Sequence, residues 1–476
     1  MKKWLGFITA FAFLGLLLWK VGFHPGQINR LVPGSTPPSG PSEVWMEITQ
    51  AGKTVGWSHR IIQAEKEGYD VEEEIVLRLK SMGVPQEVRC NLRGKLNQNR
   101  TLKEFRALVS SSFYEAKVEG KVEGHRLFLS SGGKNVEIPL PGVPLLPGDL
   151  CRSRVPGRLP MFDAVQAGVR EAEVAYLGEE IREIGGQREK LSRLALTFDG
   201  MEENIWCNEK GEMVREEGPM GLVAERVSKK RVELFLTKMK GEIDLPQLVS
   251  LPAQVEIKDP GRLTRLTCRL EGVPLSNLFL QGGRQTWRNP IVTVEREDLS
   301  LRQKASAGES FPSWALAPTQ FIQTGHPELT RWVKKITEER DPSPVKMRKI
   351  VHWVHRETEK WPVASLADSI SILSHKKGDC TEHAILVTAL GRTAGIPTAI
   401  ETGLVYQKGR FFYHAWNAFY LENYGWVTAD AVFDQIPADC THIRLFRGDL
   451  QREITMLAAL IGKLKLSVEE MKYGRP

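Results

Sequence analysis

The sequence predicts an α+β protein: an N-terminal transmembrane helix, an antiparallel β-rich region behind it, and a C-terminal domain that opens with helices and closes with strands. Three observations carry this reading. Residues 4–19 contain no charge. Between Glu43 and about residue 240, apolar residues alternate with polar ones at the two-residue period of a strand. From Pro318 onward the apolar spacing lengthens to that of helices. At 476 residues, 41% hydrophobic and 26% charged, the chain is long enough for two or three domains and too apolar for bulk disorder.

Residues 1–23 are predicted as the membrane span. Trp4 to Trp19, continued through Lys20 to Phe23, approaches the roughly 20 residues a helix needs to cross about 30 Å of hydrocarbon. Trp4 and Trp19 fit the two interfaces, and Lys20 can snorkel. No A-x-A pattern follows, so the segment reads as an uncleaved signal anchor. Its short flank, Met1-Lys2-Lys3, stays cytoplasmic and sends the rest of the chain outside, into the periplasm of a Gram-negative cell. Residues 24–42, with five prolines, read as an extended tether.

Residues 43–240 read as an antiparallel β domain. Val44, Met46 and Ile48 alternate, as do Tyr69, Val71, Ile75, Leu77 and Leu79, then Val88, Cys90 and Leu92, then Leu127 and Leu129. One-sided alternation implies a sheet with one solvated face. Residues 139–160 divide the region, Phe162–Ala167 is predicted as a helical piece, and Trp206–Arg215 is predicted as a hairpin turning at Lys210-Gly211. Residues 241–312 form a smaller β unit ending in Ile291–Val294. A net charge of +7 with interleaved signs gives no nucleic-acid footprint. The six cysteines have no zinc-like spacing, so no metal or cofactor is expected. A disulfide is possible among them, but the spacing does not assign it.

Residues 313–476 carry the chemistry. Pro327–Glu339 and Pro344–Thr358 are predicted helices, the second with Met347, Ile350, Val351 and Val354 on one face. Cys380 then opens an apolar helix, with Asp379 as N-cap and Gly395 at its end. That position lets the helix dipole favour the thiolate. Phe411–Tyr420 reads as a buried central strand carrying His414, and Tyr424–Asp430 as its hairpin partner. Pairing Tyr420 with Tyr424 puts His414 directly opposite Asp430, with Cβ atoms about 5 Å apart. A one-residue slip would put them on opposite faces. Cys380 as nucleophile, His414 as base and Asp430 as orienting carboxylate make an acyl-transfer site. His383, one turn after Cys380, is the rival base. His352 and His355 read as a solvated helix face, Cys440 as a small buried residue, and Trp361 as a cleft-lining candidate. Residues 449–461 should form a helix, followed by a closing strand through Leu464, Leu466 and Val468.

Gly378–Ala384 (GDCTEHA), Arg392–Thr398 (RTAGIPT), Tyr413–Tyr420 (YHAWNAFY) and Gly425–Asp430 (GWVTAD) together resemble the transglutaminase-like superfamily, over about residues 315–450. The resemblance implies a papain-like core with Cys380, His414 and Asp430 in the three catalytic positions, acting on an amide of a protein or peptide. It departs from the family pattern at Ala418, where Glu is frequent, and at Asp430-Ala431-Val432, where Asp-Pro-Thr is frequent. Water and a primary amine both remain open as acyl acceptor, with hydrolysis preferred. The alternative class is a binding or assembly module of the cell envelope with an inactive triad.

Overall fold

The computed structural model describes the chain except residues 1–23, 27–41, 51, 82–83, 112–113, 132–133, 141–142, 147–148, 154–156, 164–167, 199–200, 219–220, 239–248, 300–310, 362–366 and 475–476. The α+β expectation with a leading transmembrane helix is corrected. Strands make up 51% and helices 21%, so the protein is mostly β, and no helix among the described residues is long and apolar enough to cross a membrane. The predicted span, residues 1–23, lies outside the described residues. The excess of strand has a physical source: each apolar alternation visible over a few residues is the centre of a longer ladder, whose ends pair through backbone rather than through apolar pattern. Two compact units result, one within residues 15–244 and one within residues 245–476.

The first unit contains one 14-stranded sheet, antiparallel throughout. It joins two meanders. One runs from Ser42–Gln50 to Lys134–Pro139 and the other from Gly157–Asp163 to Leu222–Arg226. They meet where Leu222–Arg226 pairs with Ser42–Gln50, Ala224 opposite Ile48. One face buries Val71, Leu92, Leu96, Leu102, Phe105 and Leu127. The solvated face carries cross-strand ion pairs such as Arg93–Glu72, Lys95–Glu104 and Arg106–Glu119, as one-sided alternation requires. The Trp206 hairpin forms, with Gly211 N–H donating to the Asn208 carbonyl at 3.0 Å.

Three readings change in this unit. His24–Gly26, placed in the tether, pairs with Val143–Leu145. Phe162 and Asp163, read as the start of a helical piece, end the strand Gly157–Asp163, while residues 164–167 lie outside the described residues. A helix over Lys229–Lys238 was not anticipated: Val232 packs on Trp57 and Val76, a long-range contact that its charged sequence does not announce. Cys151 and Cys207 are disulfide-bonded across 56 residues, and the cysteines outside that bond, Cys90, Cys268, Cys380 and Cys440, are all buried. Loop-closure entropy for that span makes the bond worth roughly 4 kcal/mol. Cys151→Ser with Cys207→Ser is expected to lower the midpoint of thermal unfolding of this unit by several degrees, read by calorimetry. An unchanged midpoint would contradict this.

The second unit has two sheets and a helical layer. Thr398–Gln407, Arg410–Leu421, Gly425–Ala429 and Ile443–Gly448 form the central sheet, extended at one edge by Leu251–Pro252. Leu263–Glu271, Gln285–Arg288 and Ile291–Glu295 share a second sheet with the closing strand Lys465–Tyr473. The predicted helices appear as Pro327–Ile336, Ser343–Glu357, Cys380–Thr393 and Gln451–Leu460. Residues 380–392 of the Cys380 helix are all buried, and Gly395 ends it at φ +80°. Glu401, on the central sheet, is gripped by Arg444, Arg447 and the Trp416 indole. Burial opposes its charge, yet Arg447 and Arg444 hold its carboxyl down to about 2.

Candidate active site

Cys380 is the first residue of its helix. Asp379 caps the helix by accepting from Thr381 N–H at 2.8 Å, and the Glu382 carboxyl accepts from Asp379 N–H at 3.0 Å, which closes a capping box. The far end is pinned by Arg392, whose guanidinium donates to the carbonyls of Thr398 and Ala317 and pairs with Asp449. Arg392 opens the RTAGIPT segment, and its bonds tie the end of the Cys380 helix to Thr398 at the start of the next strand. Glu359–Lys360 pairs in parallel with Lys377–Gly378, and Trp361 N–H donates to the Gly378 carbonyl, two residues before Cys380.

His414 lies in the buried strand Arg410–Leu421, flanked by the rings of Phe433 at 5.2 Å and Trp416 at 6.0 Å. The hairpin register differs from the predicted one by two. Leu421 faces Gly425 and Tyr420 faces Trp426, because the three-residue loop ends on Gly425 at φ +69°, a conformation that a tyrosine resists. A shift of two keeps every side chain on its face. Asp430 therefore still reaches His414, with Oδ2 2.6 Å from Nε2, although it lies diagonal to the histidine and one residue past the end of its strand. There it folds into a turn: Asp430 and Gln435 exchange backbone hydrogen bonds, while Oδ1 accepts from Val432 N–H at 2.7 Å and Phe433 N–H at 3.3 Å.

Because Asp430 occupies Nε2, Nδ1 is the nitrogen of His414 that can serve the cysteine. The Cys380 sulfur lies against the backbone N–H of Ala415, the residue next to His414. Cys380 and His414 are 0% exposed and Asp430 is 1% exposed. Burial pushes the Cys380 thiol well above its usual range, reinforced by the Asp379 and Glu382 carboxyls, with the Ala415 N–H opposing. The helix dipole alone favours a thiolate; burial, the largest influence, opposes it, and the acidic cap adds to that opposition. Burial lowers His414 below the ordinary imidazole value against the pull of Asp430. Both shifts favour the uncharged forms, a thiol on Cys380 and an imidazole on His414.

The rival base is oriented by a backbone carbonyl, where His414 is oriented by a carboxylate. His383 Nδ1 meets the Asp379 carbonyl at 2.6 Å, and burial lowers its value to about 4. Cys440 is buried and donates to the Leu263 carbonyl at 3.3 Å. His352 is exposed, as read, and His355 half-buried, and both bond to the Asp430 turn. His355 Nδ1 meets the Ala431 carbonyl at 2.8 Å and His352 Nδ1 meets the Asp434 carboxylate. Ala431 and Val432, which depart from the family pattern, are buried within that turn, and Ala418 packs with Ala315, Ala399 and Trp426.

Two contributors were not singled out from the sequence. Glu297 accepts from Thr428 N–H at 2.9 Å and from its hydroxyl, two residues before Asp430. His442 Nε2 lies 3.0 Å from Asp430 Oδ2, the oxygen that His414 also uses. The ligand atoms of His414, Asp430 and His442 fall within 4.8 Å of one another, a spacing that a metal would also accept. Here both Nε2 atoms address one carboxylate oxygen at hydrogen-bond length, so the cluster is satisfied as a proton network.

Residues 330–431 match the family model of the transglutaminase-like superfamily, a span that includes Cys380, His414 and Asp430 and stops short of His442. Among solved structures, the chain is similar to a proposed cysteine protease from Cytophaga hutchinsonii, with 13% identity, 44% of this chain and 85% of that chain covered, and a TM-score of 0.28. It is similar to a β-barrel-like protein from Brucella abortus, with 12% identity, coverages of 40% and 95%, and a TM-score of 0.31. It is also similar to the periplasmic domain of TgpA from Pseudomonas aeruginosa, with 16% identity, coverages of 25% and 48%, and a TM-score of 0.22. No curated protein sequence matches it significantly. Residues 330–431 are thus similar to a transglutaminase-like domain.

Proposed function

We propose that this protein is an extracytoplasmic thiol enzyme that cleaves an amide of a protein or peptide through a thioester on Cys380. The observation that carries the reading is the buried His414–Asp430 bond at 2.6 Å beside a cysteine held at the start of a rigid helix. The Cys151–Cys207 disulfide supports the compartment, since such bonds persist where the milieu is oxidising.

In this reading His414 Nδ1 takes the Cys380 thiol proton as sulfur attacks the substrate carbonyl. The resulting imidazolium is stabilised by Asp430 and returns the proton to the departing amine. The Cys380 backbone N–H, in the first turn of the helix, donates to the developing oxyanion. Water then enters with His414 as base, and the carboxylic acid leaves. A primary amine in place of water would give a new amide from the same thioester.

The test is to incubate wild type and Cys380→Ala with unfolded protein substrates, with and without added primary amine, and to analyse the products by mass spectrometry. New chain termini in the wild type alone are expected. Amine incorporation without cleavage would move the assignment to transfer, and identical products from both proteins would sink the thiol mechanism.

A further inference from the structure

Asp430 serves two histidines, and a three-residue site explains only one. His442 is fully buried, with Nε2 3.0 Å from Asp430 Oδ2 and Nδ1 3.2 Å from Asp439 Oδ1. Ionised carboxylates only accept, so a ring bonded to one through each nitrogen carries a proton on both. Asp439 is committed to that role: its Oδ1 also accepts from the Thr441 N–H and hydroxyl, at 2.8 and 2.6 Å. The segment that carries the ring is fixed from outside. Arg284 donates to the carbonyls of Ala438 and His442, and Gln285 exchanges hydrogen bonds with the backbone of Arg444.

We propose that His442 is a positioning residue for the thiol chemistry: a buried cation that locks the carboxylate shared with His414 and offsets part of its charge before that charge acts on His414. The inference rests on the reading of Cys380, His414 and Asp430 as the reacting group. Its chemical consequence concerns the base. A lone buried carboxylate 2.6 Å from His414 favours a protonated ring, which cannot accept the thiol proton. Burial of His414 opposes this first, and the His442 ring, with its centroid 5.8 Å from that of His414, adds to it, while Asp439 pulls the other way. Burial works against charge on His442, yet Asp439 and Asp430 raise it to about 9, so the cation persists through neutral pH.

The other charged groups around the cluster are accounted for. Cys380 approaches from the helix start with Asp379 and Glu382 behind it. Lys360 acts on Asp430 and Asp434 from the short strand beside Gly378. His383 is lowered by burial, and Arg284 bonds to the backbone of His442 and pairs with Glu297, which accepts from Thr428 N–H.

The experiment is a histidine-nitrogen NMR titration of the full chain, wild type against His442→Gln, with alkylation of Cys380 by iodoacetamide followed over the same pH range. Two like charges at this separation in a medium of intermediate dielectric repel enough that His414 is expected to titrate about one pH unit or more higher in His442→Gln. The acid limb of Cys380 alkylation should move up with it, and the wild-type His442 ring should stay cationic until about pH 9. A loss of reactivity with no movement of either titration would leave His442 a packing residue and overturn the proposal, as would a neutral His442 ring in the wild type at neutral pH. Should His442→Gln not fold, Asp439→Asn keeps the ring and its bond to Asp430. It is expected to lower the titration of His442 by about one unit, and an unmoved value would overturn the proposal. If wild-type Cys380 alkylation proves indifferent to His414, the thiol-enzyme reading fails, while the two histidine titrations still decide the role of His442.

Discussion

His414→Ala is expected to slow acyl-enzyme formation by about 10²–10⁴-fold, the usual contribution of a positioned general base. The loss falls on the chemical step because the Cys380 thiol is held well above its ordinary value by burial and by the Asp379 and Glu382 carboxyls. A thiol in that state attacks only if a neighbour removes its proton as the bond forms. The measurement is single-turnover acylation, wild type against variant, at one pH. Because nucleophile and base act as a unit, Cys380→Ala combined with His414→Ala should be no worse than Cys380→Ala alone.

Asp430→Asn is the second large effect, and it acts on stability as well as rate. The neutral amide keeps the shape but cannot balance two rings at once, so His414 loses its fixed tautomer and His442 loses half of its counter-charge. A rate loss of about 10³–10⁴-fold is expected from the wrong tautomer. Removing one partner of a buried ion pair adds an unfolding cost of about 3–5 kcal/mol. The pH dependence has a definite sign. Asp430 and Asp439 lie below the ordinary carboxylate value of 3.8, so their stabilisation is present above it and is lost as pH falls. His442 is raised from 6.5 to about 9, so its stabilisation is full below 6.5 and is lost as pH rises through about 9. Wild-type stability should therefore fall on both sides of a plateau, and Asp430→Asn should flatten both flanks, read from denaturant midpoints across pH.

What was legible in the sequence was local. Asp379 before Cys380, with Glu382 three residues on, announces a capped helix start, and the structure has one. The period of two in the aromatic strand fixed the parity of His414 and Asp430, which survived a register displaced by Gly425. Whatever depended on partners distant in sequence was not legible. The apolar run from Ile385 to Ala394 pointed to a buried helix, but the balance between that burial and the helix dipole at Cys380 was not legible: burial comes first and pushes the thiol up. His442 could not be given its carboxylates from the sequence, since Arg284 and Gln285 hold its segment from more than a hundred residues away. The continuity of the 14-stranded sheet depends on Leu222–Arg226 meeting Ser42–Gln50, a pairing that no alternation pattern encodes.

The chain contains its own reference thiols for the measurement that bears most directly on the site. Cys90 and Cys268 are buried and pushed up to about 12, and Cys440 to about 11, with no histidine base assigned to any of them. Alkylation of the folded protein by iodoacetamide, resolved residue by residue by mass spectrometry, compares Cys380 with all three in one tube. At neutral pH Cys380 is expected to react far faster than the other three, and His414→Ala is expected to bring it down to their rate. Equal labelling of all four cysteines, unchanged in His414→Ala, would contradict a Cys380–His414–Asp430 site.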